Sequence, residues 1–306
     1  MYKIYHEDIS AGYPLLYICN PSVYIRSTID DCDYILHNKL ISHKKNLTYV
    51  PHGHLSKISE KYITTNKFVI VFILSDYEKR YRFHKNLIIV RTSLKQSRKR
   101  ENELTMPYIW DCLPLPFPPN QSTLPVVGFC GLLSKHRKEI IEVFNNSTSV
   151  RTDFIIRDKF WGGEPHNKKL INEYNNNLQN SSFIISQRGT GNFSMRFYQV
   201  LAAGRIPVLV NTDMVLPYSD EIEWDKFVVF EKDAETCLKK VIEVFESGAY
   251  IKMQENCRKV FDDYFSNTNF LPQIIKQINK ISNNKLTFME KIRLVIQKYL
   301  LLFRLT

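Results

Sequence analysis

The chain has 306 residues, enough for about two domains of ordinary size. With 44% apolar and 24% charged residues and only 10 Gly and 13 Pro, it is neither disordered, collagenous nor of low complexity. Forty-two basic against 31 acidic residues give a formal charge of +11, which favours anionic partners without choosing among nucleic acid, anionic membrane, sugar nucleotides and polyanionic glycans.

The first residues, Met1 to Asp8, lack the apolar stretch of a signal peptide. Strand-like apolar runs follow at 15–19, 34–37, 68–74 and 87–90. The run at 68–74 is the longest and falls far short of the ~20 residues that span a membrane. From Lys79 to Arg100 there are nine basic residues and no acid, which reads as a solvated face, a groove for an anionic acceptor or a nucleic-acid face. Prolines then crowd 107–120, where neither a helix interior nor a central strand can form, so an extended linker is expected. A second series of runs occupies 126–131, 153–157, 182–186, 206–211 and 227–230. Strands alternating with helical stretches predict two α/β domains with parallel sheets, at 1–120 and 121–275. The remaining 276–306 carries seven basic residues and one acid, with Phe288, Ile292, Val295, Tyr299 and Leu302 at helical spacing. That pattern suits a helix packed on a core or lying on an anionic membrane surface. The six cysteines are scattered, with no C-x-x-C pair and no zinc-like spacing, so free thiols in a reducing cytosol are expected.

The most informative stretch runs from Ser182 to Val210. A buried strand ends at Ser186, and Gln187-Arg188-Gly189-Thr190-Gly191-Asn192-Phe193 forms a loop with two glycines. Ser194 is placed to N-cap a helix that runs to Ala203, and Gly204 suits the left-handed position after it. Such a loop feeding a helix N-terminus offers backbone N–H groups to an anion. Arg188 precedes the loop, while Arg196 and Gln199 lie three apart on one helical face. Two guanidiniums beside a helix start suit a diphosphate.

This run resembles the donor-binding motif of exostosin-like glycosyltransferases (glycosyltransferase family 47), in their small bacterial-type branch. There an Arg-Gly loop is followed by Ser, Arg and an acidic residue on a helix and then by Gly-x-Ile-Pro-Val. The likeness extends through Asn211-Thr212-Asp213 and Ile222-Glu223-Trp224-Asp225, with further blocks at Arg91-Thr92-Ser93, Gly128-Phe129-Cys130-Gly131, 153–158 and Phe160-Trp161-Gly162-Gly163. One departure is Gln199, where the family usually has a Glu expected to bind the ribose hydroxyls.

The resemblance implies a GT-B type fold, two Rossmann-like domains facing across a cleft. It also implies an inverting transfer that needs neither metal nor other cofactor. The donor would be a nucleotide sugar, with a UDP-sugar as the leading choice. The acceptor would be a glycan or lipid-linked oligosaccharide of a lipopolysaccharide or capsule, in the cytoplasm or on the cytoplasmic face of the inner membrane. Donor-binding residues implied by motif position are Arg137, Arg157, Arg188, Asn192, Ser194, Arg196 and Gln199. Asp76, after the 68–74 strand, is the first choice of general base, with His52 and His54 as rivals. Asp31-Cys32-Asp33 superficially matches a D-x-D metal site, but polar 26–28 precedes it where a buried strand would be needed. Two readings compete: a nucleic-acid-binding protein using the basic tract and tail, and a catalytically inactive glycan-binding relative. No recognised nucleic-acid motif accompanies the charge.

Overall fold

A computed structural model describes residues 2–6, 24–37, 41–42, 52–65, 67–81, 83, 85–107, 114–266 and 268–283. The expected strand at 15–19 and tail helix at 287–303 lie outside these residues. The chain divides into two compact units, one comprising Met1–Ser93, Arg98–Met106 and Asn267–Thr306, the other Leu94–Ser97 and Pro107–Ser266. Each unit holds one all-parallel sheet. These are the two parallel α/β units that a GT-B fold requires.

In the first unit the strands are β1 (Tyr2–Tyr5), β2 (Tyr24–Arg26), β3 (Tyr34–Leu36), β4 (Ile41–Ser42), β5 (Val69–Leu74), β6 (Leu87–Arg91) and β7 (Glu103–Thr105). Helix α1 (His52–Tyr62) connects β4 to β5. The sheet order is β2-β1-β3-β5-β6-β7, with β4 also paired to β5. All six residues of β5 are buried, as a parallel strand covered on both faces demands. This is why 68–74 shows a continuous apolar run instead of alternation. A helix from Phe270 to Asn283 returns to this unit and buries Phe270, Leu271, Ile274, Ile275 and Ile278. Its Asn279 accepts from the Tyr34 hydroxyl and donates to the Tyr2 hydroxyl at 3.0 Å.

The second unit runs β8 (Val126–Leu132), α2 (Lys135–Asn145), β9 (Arg151–Arg157), α3 (Lys168–Asn180), β10 (Phe183–Ile185), α4 (Met195–Ala202), β11 (Ile206–Val210), β12 (Val229–Glu231), α5 (Ala234–Glu246) and α6 (Tyr250–Tyr264), so that the returning helix is α7. Its sheet order is β12-β11-β10-β8-β9. The proline-rich stretch 114–120 is extended and fastened to this unit. Phe117 N–H donates to Ala203 O at 3.2 Å, and Arg205 donates to Pro118 O at 3.0 Å. Arg205 is 1% exposed and also donates to the carbonyls of Leu178, Gln179 and Gly204. Gly204 has φ of 67°, the left-handed conformation expected after the helix.

At the carboxyl end of β6, Arg91 pairs with Glu103 at 2.8 Å, both side chains at most 2% exposed. The same guanidinium donates to the carbonyls of Ser93, Tyr77 and Lys79. The Thr92 hydroxyl accepts from Ser75 N–H at 3.1 Å and donates to Ser75 O at 2.9 Å. The segment around Asp76 is thereby pinned on both sides. Arg91→Met leaves the Glu103 carboxylate buried and unpaired, so we expect a loss of about 3–5 kcal/mol in urea denaturation. A loss under about 1 kcal/mol, the range of a surface pair, contradicts this account.

Candidate functional site

The connection β8–α2–β9 lays its strand on one side of β8, and β9–α3–β10 lays the next on the other side. The carboxyl ends of β8 and β10 therefore flank a topological switch point, where open α/β sheets hold ligands. Arg137, Arg188 and Arg196 gather around these two strand ends.

Arg137 stands in the first turn of α2, 6% exposed. Its Nη1 donates to Leu132 O at 2.8 Å and its Nε to Gln187 O at 3.2 Å, spanning the two strand ends. Arg196, the second residue of α4, donates from Nη2 to Cys130 O. Its Nε and Nη1 are buried and have no hydrogen-bond partner among the described residues. Both guanidiniums lie over the ring of Phe129, Arg196 at 4.5 Å and Arg137 at 5.7 Å. Neither has a carboxylate partner among the described residues. Burial first, and then the Arg196 charge, push the Arg137 pKa down to about 9, so the group stays charged at neutral pH. The close approach of Arg196 to β8 needs Gly131, since a β-carbon there would collide with the guanidinium.

Arg188 is 7% exposed and donates to Asn192 Oδ1 at 3.1 Å and to Thr190 O at 2.8 Å. Asn192 Oδ1 also accepts from the Thr212 hydroxyl at 2.6 Å, and its Nδ2 donates to Leu94 O at 3.4 Å. Asn192 therefore holds Arg188 in place. Gln187, absent from the sequence-based set, ties β10 to β11 by accepting from Val210 N–H at 2.7 Å. A Gln beside the motif arginine was the available signal.

Ser194 occupies the N-cap position of α4, but its side chain makes no capping hydrogen bond, contrary to the sequence expectation. Residue type favours a cap there, yet the buried hydroxyl does not point back to the helix N–H groups. Gln199, 5% exposed, accepts from the Tyr174 hydroxyl at 2.9 Å. Burial pushes the Tyr174 pKa up to about 12, against a lowering by Arg196, so at neutral pH this phenol is a donor.

Arg157 closes β9, the strand beside β8. Arg157 is ion-paired with Glu173 at 3.0 Å and donates to Leu170 O and Cys130 Sγ. Its charge is locally matched. In the first unit, Asp76 is half-buried just beyond β5, His54 is exposed on α1, and His52 opens that helix. Asp31 is ion-paired with Lys3 at 2.9 Å, and Asp33 accepts from the Lys3 N–H at 2.8 Å.

Buried Arg137 and half-buried Arg196, with no carboxylate partner among the described residues, form a positive pair at the switch point that can hold a diphosphate-like anion. Inorganic pyrophosphate should therefore stabilise the protein, by about 2.7 kcal/mol at a hundred times its Kd. Arg196→Met should abolish that shift in a thermal melt, and an unchanged shift overturns the assignment.

Comparison with known proteins bears on this site. The Exostosin GT47 domain model matches residues 68–245, more than half of the chain. Exostosin-1 homolog of Caenorhabditis elegans is 29% identical over 117 residues, 37% of this chain and 30% of that protein. Exostosin-1c of Danio rerio is 34% identical over 122 residues, 37% of this chain and 16% of that protein. The chain thus spans well under two thirds of the curated relatives it matches. Among solved structures, Anabaena Alr3699/HepE in complex with UDP-glucose aligns over 92% of this chain and all of that one, at 10% identity and a TM-score of 0.44. A glycosyltransferase from Rickettsia africae aligns over 93% and 99%, at 11% identity and a TM-score of 0.44. The matched interval contains β5, β6, the switch point and the whole arginine cluster, and on that match the chain belongs to the exostosin family of glycosyltransferases, glycosyltransferase family 47.

Proposed function

We propose that the chain transfers a sugar from a nucleotide-sugar donor, with a UDP-sugar as first choice, to a glycan acceptor, with inversion at the anomeric carbon. The observation that carries the reading is the unmatched Arg137–Arg196 pair at the β8/β10 switch point. Breaking a glycosyl–diphosphate bond leaves charge on the departing oxygens, and preorganised guanidiniums in a buried site stabilise that charge. Arg196 would bind through the N–H groups of its unbonded Nε and Nη1, Arg137 would add charge, and Arg188, held by Asn192, would close the loop side. These arginines would do the work of a divalent ion at the leaving group. Arg157 would act through the local frame, since Glu173 already matches its charge.

The acceptor hydroxyl needs a base, and Asp76 is the carboxylate that the pinned β5 exit presents. It would take the hydroxyl proton as the oxygen attacks the anomeric carbon. The acceptor class we infer is a surface polysaccharide or its lipid-linked precursor, because the basic tract 79–100 suits an anionic partner. No helix among the described residues is long and apolar enough to cross a membrane. In this reading the amphipathic 287–303 segment, outside the described residues, holds the enzyme at an anionic leaflet, in the cytoplasm or on the cytoplasmic face of the inner membrane. A nucleic-acid partner is not part of this proposal.

Arg188→Ala and Arg196→Ala should each lower kcat by about 10²–10³ in a sugar-nucleotide transfer assay, the loss typical of one transition-state donor. Full turnover in the folded mutants refutes the donor site. Activity should survive EDTA, and loss on chelation that manganese or magnesium restores would instead support a metal-dependent transfer.

A further inference from the structure

After β9 the chain makes a turn at Phe160–Gly163 in which Trp161, Gly162 and Gly163 have φ of 57°, 62° and 85°. A Trp in the left-handed region is uncommon and costs energy, so the fold holds it there against preference. The result is that Phe160 and Trp161 stand 58% and 46% exposed. Trp224, by contrast, is 5% exposed and donates its indole N–H to Pro217 O at 2.7 Å.

This turn is firmly seated. A β-carbon at Gly162 would lie 2.8 Å from both Arg157 Nη1 and Leu170 Cδ1, so the backbone rests directly on the Arg157 side chain. Arg157 is fixed by Glu173 and reaches Cys130 Sγ at 3.5 Å, and Cys130 O in turn accepts from Arg196. A continuous set of contacts therefore fixes the exposed indole relative to the diphosphate cradle. The turn also follows the strand next to β8, about 4.8 Å further along the same carboxyl rim.

We propose that Trp161, supported by Phe160, is the platform on which the planar base of the nucleotide donor stacks. The proposal rests on the donor-site reading above. A ligand with its diphosphate at Arg137 and Arg196 has two ends. The reacting sugar needs a polar site that excludes water. An open aromatic ledge offers instead a flat π-surface, which suits a base. Stacking tolerates any base, because every base has a π-face. The platform thus supplies nucleotide affinity with little discrimination between pyrimidine and purine.

Calorimetry on the full chain with UDP, GDP and inorganic pyrophosphate tests this. Trp161→Ala should weaken both nucleotides by at least about fivefold, as loss of one base–aromatic stack does, and leave pyrophosphate binding unchanged. Trp161→Phe should retain most of the affinity. Nucleotide should quench the intrinsic fluorescence of the wild type, and Trp161→Phe should lose that quenching. Unchanged UDP and GDP affinity in a Trp161→Ala protein that melts like the wild type overturns the platform alone. So does equal weakening of pyrophosphate, which makes the turn a prop for the cradle. A mutant that raises only the acceptor KM assigns the ledge to a sugar and also overturns the proposal. Pyrophosphate that fails to displace UDP from the wild type overturns the donor cradle itself.

Discussion

The second unit is organised around two like charges, buried Arg137 and half-buried Arg196. Burying a guanidinium without a carboxylate is costly, and a second one over the same aromatic ring adds repulsion. The arrangement holds because the carbonyls at the ends of β8 and β10 accept from both groups, and because the face of Phe129 attracts cations. The connections leaving these paired strands diverge at the switch point, so the sheet order itself opens the space beyond their ends. Gly131 completes the condition by leaving the Arg196 guanidinium room beside β8. An anion bound there relieves a repulsion that the fold otherwise carries.

Comparison with Arg91, Arg157 and Arg205 shows what sets Arg196 apart. Arg91 faces Glu103, and its remaining N–H groups reach three carbonyls of the chain. Arg205 has no carboxylate partner among the described residues, yet Nε, Nη1 and Nη2 all donate to backbone oxygens and fasten the proline-rich stretch to the second unit. Arg157 has Glu173. In Arg196 alone among these four, Nε and Nη1 are buried with no partner. The criterion is unused donor capacity, and residue type or burial does not reveal it.

This explains how much could be read from the sequence. Continuous apolar runs located β5, β6, β8 and β11 to within a few residues, because a parallel strand buried on both faces leaves that mark. The loop-to-helix-to-Gly204 segment was legible because each feature is local: a strand end, two glycines, a helical period and a left-handed residue. The partners of the arginines were not legible. Arg91 meets Glu103 twelve residues on, Arg137 meets the Gln187 carbonyl fifty residues on, and Arg205 meets carbonyls up to 87 residues away. Periodicity carries no record of such pairings. Ser194 shows the reverse failure, since the right residue at the right position leaves the helix N–H groups uncapped by its hydroxyl. The left-handed Trp161 was equally hidden, because neighbouring glycines signal a turn without saying that the preceding aromatic residue shares its conformation.

Gln199 gains its meaning from the same electrostatics. It sits one turn beyond Arg196 on α4, where side chains three apart are neighbours. A carboxylate at this position would offset part of the positive charge that the site concentrates. The amide accepts the Tyr174 hydroxyl proton instead, and because burial keeps that phenol protonated the pair adds no charge. The positive charge of the arginine pair is therefore not offset from this position, and in the proposed donor site a charged contact to ribose hydroxyls would be given up. In the proposed donor site, affinity would shift from the ribose towards the phosphates on Arg137 and Arg196 and the base on the rim. On the proposed reading, a chain that makes this exchange would depend more on its arginines and its aromatic ledge than one that keeps the acid.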